Sequence, residues 1–280
     1  MSGEADKRWT LHHGDCLAWL RTLPNESVDA LITDPPYSSG GAYRGDRVSS
    51  TDDKYTRTEY MGRFASFDGD ARDQRSFAYW ETLVLSECLR IVKPGGVCAV
   101  FTDWRQLPST TDAVQAGGWI WRGIAAWDKG DGARPSRGRF RSQSEFIVWG
   151  SRGPMSVDRD APVLPGVLRC TVRQDDKHHQ TGKPTEVMRW LAKFCERGGV
   201  ILDPFAGSGT TGVGALLEGF RFIGCEKSDG YHEIACRRLA AAEIGETVAR
   251  TAEPAPKSVE RPTDDAQRTL ALPKDDPCAA

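Results

Sequence analysis

Between Val200 and Gly212 the chain reads Val-Ile-Leu-Asp-Pro-Phe-Ala-Gly-Ser-Gly-Thr-Thr-Gly: a short apolar strand, a tight turn and the opening of a helix. Gly207, Gly209 and Gly212 satisfy G-x-G-x-x-G, the spacing that brings a backbone turn close to a ligand at a helix amino terminus. Such a turn belongs to a parallel sheet covered by helices, and the rest of the chain repeats the pattern. Strands are predicted at Trp9–His13, Val28–Thr33, Val97–Phe101, Trp119–Trp127, Glu145–Trp149, Val200–Leu202 and Arg221–Cys225. Helices are predicted at Leu17–Leu23, from Phe77 to a stop at Lys93-Pro94-Gly95-Gly96, and at Thr185–Cys195, Thr211–Glu218 and Asp229–Ala242. The alternation predicts an α/β fold with a doubly wound, mainly parallel sheet.

The length of 280 residues suits one such fold. The longest apolar runs, Cys16–Leu20 and Val97–Phe101, are far too short for a membrane span. The amino terminus is charged from Glu4 onward and lacks the apolar stretch of a secretory signal, so a cytoplasmic protein with no membrane partner is expected. Eight cysteines form no C-x-x-C, and the pairs His12-His13 and His178-His179 read as structural, so no metal is expected.

Asp203 and Glu226 decide what the glycine turn holds. A carboxylate at Asp203, at the strand's end, repels a pyrophosphate and suits a cation. Glu226 ends the next strand, 19 residues after Gly207, where an acid accepts from both hydroxyls of a ribose. Turn and acids together point to an adenosine with a positive tail, and S-adenosylmethionine carries both an ammonium and a sulfonium. A glycine turn that only packs helix on strand requires neither acid. A P-loop is disfavoured, because Gly182-Lys183 is followed by Pro184.

Asp34-Pro35-Pro36-Tyr37 follows directly on a strand and therefore sits at the sheet's carboxyl edge. The prolines fix the backbone, so the Asp34 carboxylate and the Pro35 carbonyl form a rigid acceptor pair. An exocyclic amine of adenine or cytosine presents two N–H donors, and its lone pair is delocalised into the ring. Two acceptors holding both protons pull that nitrogen toward a tetrahedral shape and free the pair for attack, while Tyr37 offers a stacking face.

With these residues in hand, the chain resembles the DNA amino-methyltransferases that make N6-methyladenine or N4-methylcytosine. Asp34, Pro35, Pro36 and Tyr37 match the family's catalytic motif, and Asp203, Pro204, Phe205, Gly207, Ser208, Gly209 and Thr210 its cofactor motif. The catalytic motif comes first, the circularly permuted order of the beta class. The resemblance spans Trp9–Leu239 and implies a Rossmann-like S-adenosylmethionine-dependent methyltransferase fold with the strands ending in Asp203 and Asp34 side by side. It further implies that Asp15 and Cys16 reach the adenine edge of the cofactor, that Asp34 and Glu226 help hold it, and that Thr181 and Lys183 of the H-x-x-x-K-P element lie near its methionine carboxylate. Gly182 departs from the larger residue common there. Aspartate in the first position of the catalytic motif leans toward adenine N6, with cytosine N4 as the alternative.

The net charge of −2 at first speaks against a DNA substrate. Residues 245–280, with five bases, seven acids and no aromatic side chain, account for that excess and read as a disordered tail. Residues 129–173 carry nine bases against four acids. Within them Arg134, Arg137, Arg139 and Arg141 crowd around Phe140 and are the candidate contacts to DNA phosphates. The target base of double-stranded DNA has to be flipped out of the stack to reach Asp34. A catalytic domain is expected over residues 1–244, with 38–76 a mobile loop near the site and 129–180 the candidate target-recognition region. A homodimer and a cognate restriction enzyme are further partners the resemblance allows. Two other classes compete: a NAD-dependent oxidoreductase built on the G-x-G-x-x-G turn, which would prefer NAD to S-adenosylhomocysteine, and an inactive DNA-binding module, indifferent to loss of Asp34 and Tyr37.

Overall fold

The computed structural model describes residues 7–37, 73–132, 137–138, 140–172 and 182–247. Within them β1 (Trp9–His13), β2 (Val28–Thr33), β3 (Val92–Thr102), β4 (Ile120–Asp128), β5 (Ser144–Ser151), β6 (Val167–Arg169), β7 (Val200–Asp203) and β8 (Arg221–Glu226) form one sheet. The strand order is β1-β8-β7-β2-β3-β5-β4-β6. Strands β1, β8, β7, β2 and β3 run parallel. β5 is antiparallel to both β3 and β4, and β6 returns parallel to β4. Parallel strands are covered on both faces and must be apolar throughout. Accordingly Ala30, Leu31 and Ile32 of β2 and Val97–Phe101 of β3 are all buried.

The helices divide between the two faces. α1 (Cys16–Leu20), α2 (Gln74–Ile91) and α3 (Leu107–Ala116) lie on one, where Leu20, Leu85, Cys88 and Val114 pack with Leu31, Val100 and Leu202. α4 (Thr185–Ala192), α5 (Thr210–Leu217) and α6 (Asp229–Glu243) lie on the other, where Val187, Leu191, Val213 and Leu239 meet Ile32, Ile201 and Phe222. α2 earns its length from a buried stripe, Phe77, Val84, Leu85, Cys88 and Ile91, at steps of three and four residues. Glu81 interrupts that stripe. Burial pushes its carboxyl up to about 8, opposed by the Thr110 hydroxyl, so it folds as a neutral acid near pH 7.

Several boundaries differ from those predicted. α3 and β6 were not expected: Leu107–Ala116 is rich in Ser and Thr and has little apolar periodicity, and β6 is three residues long. Lys93-Pro94-Gly95-Gly96 is not merely a helix stop but part of β3, because Gly95 N donates to the Arg152 carbonyl at 2.7 Å and Gly96 O accepts from Arg152 N at 2.8 Å. α4 ends at Ala192, three residues before the predicted end. Trp119 and Trp127 are buried in the core, and Trp121 lies exposed on the face of β4. Of the predicted loop 38–76, residues 38–72 lie outside the described residues, and Gln74–Ser76 open α2. The predicted tail lies outside them from 248 onward.

Three features position the site. The chain leaves β2 for β3 on one side and β7 for β8 on the other, so the strand order reverses between β2 and β7 and opens a crevice at their carboxyl ends. At the amino ends of these strands Asp29 Oδ2 accepts from Val200 N at 2.8 Å. At the far edge, Arg8 N donates to Glu243 Oε1 at 2.8 Å and Trp9 Nε1 to Glu243 Oε2 at 3.0 Å, tying the start of β1 to the end of α6. Among the described residues no helix is long and apolar enough to cross a membrane.

Helices α4 and α5 approach closely at Gly214, where a Cβ would stand 2.8 Å from the backbone of Met188 and of Arg189. Backbone cannot rotate away. Gly214→Val is therefore expected to lower the unfolding free energy by about 2 kcal/mol, overpacking outweighing the gain in helix propensity. Urea titration of both proteins measures the difference.

Candidate active site

Four acids stand in a row along the carboxyl edge of the sheet. Asp15 follows β1, Glu226 ends β8, Asp203 ends β7 and Asp34 follows β2, on four strands that are consecutive neighbours. At about 4.8 Å per strand the row spans roughly 15 Å. Each carboxyl has a local anchor. Asp15 caps α1 by accepting from Ala18 N at 3.0 Å, and Gly14 N donates to the Glu226 carbonyl at 3.0 Å. Glu226 accepts from Gly207 N at 2.8 Å and from Ser228 N at 2.7 Å; burial still raises it above its ordinary value. Asp203 Oδ1 accepts from Thr33 Oγ1 at 2.7 Å and from Phe205 N at 3.0 Å. Burial pushes Asp203 up to about 6, against hydrogen bonds from Thr211, Thr33 and Phe205 N.

The glycine turn is built as its sequence demands. Gly207 and Gly209 have φ of 54° and 81°, a left-handed conformation that side chains resist. Gly209 also faces Ala235, whose Cβ would lie 3.0 Å from an added methyl. Behind the turn Arg238, 3% exposed, donates through Nη1 to Ser208 O at 2.7 Å, Ser208 Oγ at 3.1 Å and Thr210 Oγ1 at 3.0 Å. Pro204 is buried, and the Phe205 ring meets Trp80 of α2 at 5.2 Å.

Asp34 is the most heavily coupled of the four. Lys183 Nζ lies 2.6 Å from Asp34 Oδ2, 3.3 Å from Tyr37 OH and 3.3 Å from Glu145 Oε2. Tyr37 OH donates to the same Glu145 oxygen at 3.1 Å, and Lys129 Nζ holds Glu145 Oε1 at 2.5 Å. Burial pushes Asp34 up to about 6; Lys183 opposes that rise, and the carboxylates of Glu145 and Asp203 reinforce it. Burial also acts on Glu145, but Lys183 and Lys129 overcome it and hold this carboxyl below its ordinary value. Burial disfavours the Lys183 ammonium, and Asp34 and Glu145 more than restore it, so Lys183 stays charged. Asp34 Oδ1 is buried without a hydrogen-bond partner, whereas the side chain as a whole keeps 20% of its surface open. One acceptor of this carboxylate therefore has no donor from the protein.

The fold thus gathers Asp15, Asp34, Tyr37, Lys183, Asp203, the glycine turn and Glu226 on one edge, with Cys16 buried behind Asp15 in the core. Lys183 stands on the Asp-Pro-Pro-Tyr turn, as an ion-pair partner of Asp34. Arg137 is exposed, while Arg141 is drawn to Asp131, whose carbonyl and carboxylate it contacts. Arg134, Arg139 and Thr181 lie outside the described residues. Glu145, Lys129 and Arg238 were missed. Each is a common charged residue with no motif around it, and only a buried position beside a known motif gives it away.

This chain belongs to the DNA methylase family, of the N6/N4 class: the family's sequence model matches residues 28–164 and 164–237. The Type II methyltransferase M.HinfI of Haemophilus influenzae is 28% identical over 257 residues, covering 82% of this chain and 68% of its own. YubD of Escherichia coli (strain K12), which carries a methylase name, is 28% identical over 231 residues, covering 82% of this chain and 89% of its own. The fold matches that of M1.HpyAVI in complex with SAM, with a TM-score of 0.59, 20% identity and coverage of 82% and 98% of the two chains. It also matches the cytosine-N4-specific PvuII DNA methyltransferase, with a TM-score of 0.60, 17% identity and coverage of 82% and 85%.

Raised carboxyls tie stability to pH. Asp34 and Asp203, at about 6 when folded and near 3.8 when unfolded, bind more protons in the native state between those values. Stability is therefore expected to rise as pH falls from 7 to 5, a window above the one in which Glu145 titrates. Urea unfolding at the two pH values measures the slope, and Asp34→Asn should reduce it.

Proposed function

We propose that this DNA methylase is an S-adenosylmethionine-dependent amino-methyltransferase acting on adenine N6 of a flipped base. The observation that carries the reading is the adjacency of Asp34 and Asp203 at the reversal of strand order, with Asp34 Oδ1 buried and unpartnered. The methyl donor is S-adenosylmethionine, which supplies an electrophilic methyl when bound. The row of acids fits it: Glu226 and Asp15 suit the adenosine end, and Asp203, in a carboxylate-rich crevice, suits the cationic tail. Ser208, Gly209 and Thr210 open α5 between them. By the resemblance, Phe205 would belong to the cofactor site and Thr181 would serve its methionine end.

The target amine enters at Asp34. Asp34 Oδ1 and the Pro35 carbonyl would accept its two N–H bonds, which would free the nitrogen lone pair to attack the methyl that the cofactor supplies. Asp34 remains ionised for this task and has no need to remove a proton before attack. Its negative charge also stabilises the positive charge that grows on nitrogen as the methyl is transferred. Pro36 keeps the turn rigid, and Tyr37, anchored through its hydroxyl on Glu145, presents its ring to the base. The basic segment bearing Arg134, Arg137, Arg139 and Arg141 holds phosphates of the duplex. The reading places the enzyme in the cytoplasm with its DNA and leaves room for a homodimer and for a restriction enzyme of the same specificity.

Aspartate in the first catalytic position favours adenine. Cytosine N4 is the second reading, favoured by the fold shared with the cytosine-N4-specific PvuII enzyme. Expression in a methylation-free host, followed by digestion of the DNA to nucleosides, separates the two: N6-methyladenine is expected, N4-methylcytosine supports the second reading, and neither base refutes both. Asp34→Ala should still bind S-adenosylhomocysteine by calorimetry, yet lose transfer by on the order of 10³-fold.

A further inference from the structure

The reaction as described uses Asp34 and leaves Glu145 with no task beyond anchoring Tyr37. Glu145 opens β5, on the opposite side of β3 from Asp34, and its carboxylate joins three partners: Lys129 on Oε1, and Tyr37 OH and Lys183 on Oε2. Asp34 and Glu145 bring two negative charges, Lys183 and Lys129 two positive ones, and the cluster is neutral. Without Glu145 it would carry one net positive charge a few ångströms from a nitrogen that itself becomes positive. A buried ammonium with Asp34 as its sole counter-ion would also compete with the substrate for the oxygens of that carboxylate.

We propose that Glu145 is a positioning residue for methyl transfer: it shares the Lys183 ammonium with Asp34 Oδ2 and takes the Tyr37 hydroxyl on its own Oε2, leaving Asp34 Oδ1 without a protein donor beside a charge-balanced cluster. This rests on the amino-methyltransferase reading above. The charged and titratable groups facing the pair are Lys183 ahead of α4, Asp203 at the end of β7, Lys129 after β4, Tyr37 and, beyond it, Asp103 after β3. Glu145 raises Asp34, so its charge is written into the protonation of the acid that receives the amine.

The test is steady-state methylation of host DNA by the full chain and three variants. In Glu145→Gln, kcat should fall on the order of 10- to 100-fold, the effect of one charge across a few ångströms of protein, with the KM for S-adenosylmethionine changed less than about twofold. The acidic limb of its pH–kcat profile should move to lower pH, because Asp34 loses a like-charged neighbour. Adding Lys129→Met restores neutrality and should recover about tenfold of the lost rate, a gain no purely structural account provides. Parental kcat in Glu145→Gln, an unmoved acidic limb, or a double variant no faster than the single one overturns the proposal. Should Glu145→Gln fail to fold, Lys129→Met alone must move the limb to higher pH, and an unmoved limb there overturns it equally. An inert parent refutes the amino-methyltransferase reading, whereas an active parent with an indifferent Glu145→Gln refutes this inference alone.

Discussion

Everything at the site depends on β2 lying parallel beside β7. The register joins Ala30 to Ile201 and Leu31 to Leu202, residues some 170 positions apart in sequence. The contact is short, so it is reinforced at both ends by carboxylates: Asp29 accepts from Val200 N below, and Asp203 accepts from Thr33 above. Closing so long a loop costs entropy that local contacts cannot return. The compensation comes from strands buried on both faces. Once the pair is formed, Asp34 and Asp203 are neighbours by geometry, and the row from Asp15 to Asp34 follows from strand order alone.

The ion cluster above this pair is not what holds the fold together. Withdrawing a carboxylate or an ammonium from water costs several kcal/mol per group, more than a buried leucine returns. Mutual attraction recovers much of that cost, and the signs agree: Lys183 stays charged, Glu145 is held low and Asp34 is left high. The remaining imbalance falls on Asp34, the acid with an unpaired oxygen. Stability thus resides in the two apolar layers, and the charged crevice draws upon it.

Much of this was legible in sequence because the informative residues are local. The Asp-Pro-Pro-Tyr turn and the stretch from Val200 to Gly212 each carry their strand, turn and chemistry within a dozen residues. The strand ends that follow them placed Asp203 and Glu226 at one edge. Glu145 and Lys129 were hidden for the opposite reason: their roles exist only across β3, through contacts that no periodicity encodes. Arg238 sits in α6 with no motif around it, yet it is buried under the glycine turn. α3 was lost because Pro108, Ser109, Thr110 and Thr111 make a poor helix by propensity, and packing on α2 and the sheet decides the matter.

The clasp between Arg8 and Glu243 brings together residues 235 positions apart, so the described chain begins and ends at one place on the molecule. A fold whose chain ends meet is indifferent to where its backbone is opened. Joining those ends and cutting instead between β6 and α4 would leave every strand neighbour unchanged while putting the glycine turn ahead of the Asp-Pro-Pro-Tyr turn. The order of the two motifs is therefore a property of the cut, and the site belongs to the sheet.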